Sequence, residues 1–198
     1  TLKSSAHRNL FALFLEMGLG KSKILLDNAG MLFEEGKISG LLIVSPKGNL
    51  NNWDSNEISR HLPERIKRNV LVWQPNHTQR WTKAFKDMVQ NDSTGVLNIF
   101  LVNVEAFATV KACTHVEEFL VTHDAMMAID ESTTIKNPKA KRTKHLIKLG
   151  PLADYRRILT GFPITKAPLD LYSQCYFLSP NLLGFSSFYA FQARYAIT

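Results

Sequence analysis

The segment Glu16-Met17-Gly18-Leu19-Gly20-Lys21-Ser22 holds residue types that together can bind phosphate. It follows the apolar run Phe11–Leu15 and ends in Gly-Lys-Ser, the tail of the GxxxxGK[ST] phosphate loop, with Leu15 where that pattern has its first glycine. Glycines let the backbone turn so that successive N–H groups converge on phosphate oxygens at a helix N-terminus. Lys21 would reach the β- and γ-phosphates, and the Ser22 hydroxyl would ligate Mg²⁺. A second apolar run, Ala125–Ile129, ends in Asp130 and Glu131. Two carboxylates at the end of a buried run are costly unless they serve an ion. In a nucleotide-hydrolysing site the first would hold the Mg²⁺ and the second would take a proton from the attacking water. The alternative is an N-cap and first-turn acid of the next helix. A third run ends Leu159-Thr160-Gly161-Phe162-Pro163. Placed beside the acidic pair, the Thr160 hydroxyl would sense the nucleotide state; otherwise Thr-Gly before Pro is ordinary turn punctuation.

The elements that must position these residues are legible as an alternation. Short apolar runs stand at Phe11–Leu15, Leu41–Val44, Val70–Trp73, Leu97–Val102, Ala125–Ile129 and Arg157–Leu159. They mostly lack apolar/polar alternation, as expected of strands buried on both faces. Helix-like stretches lie between them at Ser22–Phe33, Asn49–His61, Gln79–Val89, Glu105–Val121 and Ala140–Lys148. Strand alternating with helix predicts an α/β domain with a mainly parallel sheet and helices on both faces. Ligands bind such sheets at the carboxyl ends of the strands, where the unusual residues fall.

Composition narrows the classes. With 198 residues, 45% apolar and 21% charged, the chain is long and apolar enough for one domain with its own core, which excludes disorder. Cys113 and Cys175 show no CxxC spacing, so a disulfide framework is excluded. No run approaches the ~20 apolar residues of a membrane span, and no signal peptide is visible. The chain starts at Thr1, which suggests a piece of something longer. The net charge of +7 is unevenly spread: residues 1–131 carry 14 basic and 15 acidic side chains, residues 132–198 carry 10 and 2. Lys136, Lys139, Lys141, Arg142, Lys144 and Lys148 run without an intervening acid. An anionic partner such as nucleic acid fits this asymmetry; so does a solvated helix face. The six histidines show no ligand spacing. Trp73, inside a run, reads as core, while Trp53 is open between core and nucleic acid.

The segments EMGLGKS (16–22), LLIVSPKGNLNNW (41–53), AIDESTTIKNPKAK (128–141) and ILTGFPI (158–164) occur in an order and spacing that resembles superfamily 2 helicases and DNA translocases. The resemblance is to the Swi/Snf-related, remodeller-like branch and its phage-encoded relatives, which residues 169–172 and 185–189 also resemble. It implies that residues 1–198 form a three-layer RecA-like P-loop NTPase domain, the N-terminal ATP-binding lobe of a motor that couples ATP hydrolysis to movement on nucleic acid. Met17, Gly18, Leu19, Gly20, Lys21, Ser22 and Lys23 would then bind ATP, with Ser22 and Asp130 at Mg²⁺. Lys21 and Glu131 would be catalytic. Lys47, Asn49, Trp53 and Asn103 would lie near the nucleic-acid backbone, and Thr160 and Gly161 would couple hydrolysis to it. A second RecA-like lobe, expected beyond residue 198, would complete the enzyme; no membrane is involved, and a cytoplasmic location is expected, that of the bacterial host if phage-encoded. The acidic box reads DEST where DEAH or DEAQ is commoner, Phe162 replaces a usual Thr and Lys166 a usual Asn, and the family's adenine-reading Gln would fall before Thr1. Alternative readings are a nucleotide- and nucleic-acid-binding module without turnover and a small-molecule P-loop kinase.

Overall fold

Each apolar run of the sequence is a strand in the computed structural model, which describes residues 2–90 and 95–196. The strands are β1 (Leu10–Phe14), β2 (Gly40–Ser45), β3 (Arg68–Val72), β4 (Leu97–Asn103), β5 (Ala125–Asp130) and β6 (Tyr155–Thr160). They form one all-parallel sheet in the order β1-β6-β5-β2-β4-β3. Helices α1 (Leu2–Ser5), α2 (Lys21–Glu34), α3 (Lys47–Asn52), α4 (Ile58–His61), α5 (Gln79–Gln90), α6 (Val110–Thr122), α7 (Lys141–Leu149), α8 (Leu171–Leu178) and α9 (Phe188–Tyr195) connect and extend it. Parallel strands require crossovers, and the helical stretches supply them.

Strand residues alternate between two cores, which makes three layers. On one face Leu41, Ile43, Ile99 and Leu101 pack with Leu25, Leu26, Ala29 and Leu32 of α2 and with Leu50, Trp53 and Ile58. On the other, Leu42, Val44, Phe100 and Val102 pack with Trp81 and Phe85 of α5, Val116 and Phe119 of α6, Leu146 of α7 and Phe177 of α8. β2 and β5 are buried along their whole length, which is why their sequences show no polar alternation.

Two helical stretches differ from expectation. Glu105–Val121 is broken: a 3₁₀ turn (Val104–Ala108) precedes α6, and Thr109 between them is extended, its hydroxyl donating to Ala106 O. Thr favours such a cap over a helix interior. Asn49–His61 starts earlier, at Lys47, and passes through a π turn (Trp53–Glu57) before α4. The aromatic carboxyl-terminal segments form α8 and α9, joined by contacts such as Tyr172 with Phe188 and Phe191. No described helix is long and apolar enough to cross a membrane.

Register decides what meets at the carboxyl edge. Phe14 pairs with Thr160, Leu159 with Asp130, Ile129 with Val44, and Ser45 with Asn103. The loop after β1 and the ends of β6, β5, β2 and β4 therefore stand side by side.

Candidate nucleotide site and nucleic-acid face

The loop between β1 and α2 is built on two left-handed glycines, Gly18 at φ 81° and Gly20 at φ 76°. A side chain at either position would strain the backbone. Gly20 is the N-cap of α2 and no side chain caps the helix, so the first-turn N–H groups of Lys21, Ser22 and Lys23 are left to an external acceptor. Lys21 Nζ lies across the loop, donating to Leu15 O (2.9 Å) and Glu16 O (3.1 Å). The cation is thus held where an anion would sit, on carbonyls that phosphate oxygens can outcompete. The Met17 and Leu19 side chains are exposed, 75% and 60%. The Lys23 side chain turns along the helix to Asp27 (2.6 Å), leaving only its N–H toward the loop.

Asp130 ends β5, nearly buried at 9% exposure. Its Oδ2 accepts from Ser45 Oγ (2.9 Å) and Trp53 Nε1 (3.0 Å), and its Oδ1 from Glu131 N–H (3.0 Å). Glu131 is the one described non-glycine residue with positive φ, at φ 46° and ψ 60°. That backbone costs of order 1–3 kcal/mol and aims the carboxylate away from the strand axis. Its Oε2 accepts from Thr160 Oγ1 (3.2 Å), and the same hydroxyl accepts from Phe162 N–H (3.3 Å). Thr160 is buried, and Gly161 lies against the phosphate loop, its Cβ position 3.5 Å from Met17 N. One turn thus touches both the acidic pair and the phosphate loop. The Asp-Glu pair does not act as a helix cap: Glu131 opens a 3₁₀ turn with no side-chain cap bond.

The DEST box reaches the β6 turn by its own route. Ser132 Oγ donates to Gln174 Oε1 (2.6 Å), and Gln174 Nε2 donates to Pro163 O (2.8 Å) and Asp170 O (2.7 Å). Lys136 donates to Thr165 Oγ1 and to Asp170 Oδ2 (3.3 Å). Burial works against the Asp170 charge, yet hydrogen bonds from Thr165, the Lys166 N–H and Lys136 hold its carboxyl well below the usual carboxylate range. Ser45, Gln174 and Asp170 were not singled out in the sequence. Ser45 carried a signal, a hydroxyl closing an otherwise apolar run; the other two are distant in sequence and carried none.

Lys47 and Asn49 are exposed at the start of α3, and Asn103 is half-buried at the end of β4, bonded to Glu105 Oε2 (3.1 Å). Lys47 and Asn103 line a groove of about 680 Å³ with Trp73, Glu105 and Lys111. Trp53 does not join this face. It is 2% exposed, packed among Leu50, Ile58 and Leu62, and its indole is spent on Asp130. The expectation of Trp53 beside a nucleic-acid backbone is corrected on that ground: the ring is buried in the core and its one donor is bonded inside. Of the basic stretch, Lys136 and Arg142 are taken by internal acceptors, while Lys139, Lys141, Lys144 and Lys148 are exposed. Among the described residues no group of three or more His, Cys, Asp and Glu could hold a metal by itself.

Residues 4–197 match the SNF2-related domain. The chain is 30% identical over 168 residues to the chromatin-remodeling ATPase INO80 of Debaryomyces hansenii, covering 84% of this chain and 12% of that protein. It is 30% identical over 170 residues to the helicase SWR1 of Cryptococcus neoformans, covering 85% and 12%. Among solved structures, the Sulfolobus solfataricus SWI2/SNF2 ATPase core in complex with dsDNA superposes with TM-score 0.70 over 97% of this chain and 36% of that one, at 24% identity. The chain thus spans a small part of its curated relatives. These fungal and archaeal proteins add no support to the phage resemblance. Fold, motif order and the matched residues agree: the chain has a RecA-like fold and belongs to the SNF2-related domain family.

Proposed function

We propose that this domain is the ATP-binding motor lobe of an ATP-dependent DNA translocase, working with a second RecA-like lobe of the natural chain. The observation that carries the reading is the single sheet edge on which Lys21, Asp130, Glu131 and Thr160 meet, with Thr160 bonded to Glu131. The residues fit a nucleotide with Mg²⁺: two left-handed glycines, an uncapped helix start, a lysine lying across the loop and a carboxylate fixed by three donors. The metal, when bound with the phosphates, supplies charge neutralisation. The first-turn N–H groups of α2 hold phosphate oxygens, and Lys21 exchanges Leu15 O and Glu16 O for them. Ser22 and Asp130 would hold the metal, directly or through water. Glu131 takes the proton of the attacking water, and Thr160 ties its position to the β6 turn. Lys47, Asn49 and Asn103 contact phosphates of the track, which is DNA by likeness to the SWI2/SNF2 core solved with dsDNA.

Two measurements test the reading. Lys21→Ala removes charge-assisted contacts of about 1.5–3 kcal/mol each, so calorimetric affinity for Mg²⁺·ATP should fall by about tenfold or more. Unchanged affinity overturns the nucleotide assignment. On duplex DNA, binding should weaken linearly on a log–log salt plot, and Lys47→Ala should flatten that slope by about 0.9. A slope identical to the parent's removes Lys47 from the track.

A further inference from the structure

Trp53 sits between two surfaces that the proposed function keeps apart. Helix α3 begins at exposed Lys47 and Asn49, and within two turns the chain enters the π turn Trp53–Glu57. There the Ile58 N–H donates to Trp53 O, a five-residue ring in place of the usual four. Trp53 itself is reached by an ordinary helical turn, its N–H donating to Asn49 O, and its indole lies in the core, 2% exposed among Leu50, Ile58 and Leu62. A buried indole N–H needs an acceptor, and a carbonyl would suffice. Here the acceptor is Asp130 Oδ2, shared with the Ser45 hydroxyl. With Glu131 N–H on Oδ1, three donors fix the rotation of the carboxylate. A carboxylate offers roughly four lone-pair sites, so capacity for the metal or its water remains.

We propose that Trp53 is a positioning residue: its indole N–H sets the Asp130 carboxylate for Mg²⁺, and the helix beginning at Lys47 thereby couples nucleic-acid engagement to metal binding. The inference rests on the nucleotide and DNA reading above and adds a residue and a route to it. The coupling is mechanical. A phosphate drawn to Lys47 or Asn49 pulls on the start of a short helix whose other end holds the indole, and the indole holds the carboxylate.

Trp53→Phe keeps an aromatic ring in the cluster and deletes the N–H. In the full-length protein, ADP binding is titrated with Mg²⁺ by calorimetry, with and without duplex DNA. The half-saturating Mg²⁺ should rise about 10–100-fold, as for loss of other groups that orient metal ligands, while metal-free ADP affinity stays unchanged. The shift that duplex DNA produces in the parent's Mg²⁺ midpoint should vanish in the variant. Mg²⁺·ADP should also change the parent's indole emission, and that change should disappear with Trp53 although Trp73 and Trp81 remain. A variant with the parent's Mg²⁺ midpoint would show that Trp53 is core filling and nothing more. Should the variant not fold, the parent alone decides: a Mg²⁺ midpoint indifferent to DNA overturns the coupling. A parent that binds ADP without regard to Mg²⁺ removes the underlying functional reading, and this inference with it.

Discussion

Glu131→Gln in the full-length protein is expected to keep nucleotide binding and to lose ~10²–10⁴-fold in turnover, the usual contribution of a positioned general base. The expectation rests on backbone as much as on side chain. Glu131 is held at φ 46° between the end of β5 and the 3₁₀ turn Ser132–Ile135, where Thr134 N–H donates to its carbonyl. A position that tolerates glycine better than glutamate keeps a glutamate here, and the strain sends the carboxylate toward the Thr160 hydroxyl, 3.2 Å away. Glutamine retains the length, the strained backbone and an oxygen for Thr160, so neither the fold nor the adjoining Asp130 network should change. What it loses is basicity. Steady-state ATP turnover within threefold of the parent, at saturating nucleotide, would place the base elsewhere. A variant that also lost nucleotide affinity would instead assign Glu131 to binding.

Much of this site could be read from sequence because its chemistry restricts residue type. A phosphate loop needs glycines at left-handed positions, then a lysine and a hydroxyl, and Gly18, Gly20, Lys21 and Ser22 supply them in order. The strands were legible for a related reason. Burial on both faces removes polar alternation, so the middles of β2 and β5 read as unbroken apolar runs, and in β4 only Asn98 interrupts. Relations that depend on three-dimensional register were not legible. Trp53 sits six residues beyond the start of α3, and whether its ring faces the groove or the core depends on how that helix packs on the sheet. The Ser132–Gln174 bond joins positions 42 apart, and the latter lies on a helix the apolar pattern did not announce. Arg157 opens the run Arg157–Leu159, and a charged residue within a buried strand calls for partners that the run does not name. Its partners are four main-chain carbonyls, which leave no mark in a sequence, and the Asn28 side-chain amide, 129 positions away.

Those carbonyls make Arg157 the residue whose loss should cost the fold most. Its guanidinium is fully buried in β6, and among the described residues no carboxylate pairs with it. Burial pushes its pKa down to about 10, still charged at neutral pH. Nε and Nη2 both donate to Asn28 Oδ1 (3.1 and 2.9 Å), Nη1 to Asn9 O (3.0 Å) and Arg156 O (2.9 Å), and Nη2 also to Ser5 O (3.1 Å) and Arg8 O (2.7 Å). Asn28 in turn donates to Ala6 O (3.0 Å). One cation therefore ties the amino-terminal turn, α2 and β6 together, behind the phosphate loop that α2 opens. Arg157→Met fills much of the volume but leaves those acceptors facing an apolar side chain. The expected loss is about 3–5 kcal/mol, from orphaned buried acceptors at roughly 1–3 kcal/mol each after relaxation. Against a typical stability of about 5–15 kcal/mol that is a large fraction, and the melting temperature should fall by roughly 6–20 °C. Arg157→Lys keeps the charge but offers three donors without the planar fork, so it should recover only part of the loss. Urea unfolding of the two variants and the parent measures this directly. A Met variant within about 1 kcal/mol of the parent at unchanged m-value would mean that water replaces the guanidinium at no cost, and that the buried cation is not what fastens β6 to α2.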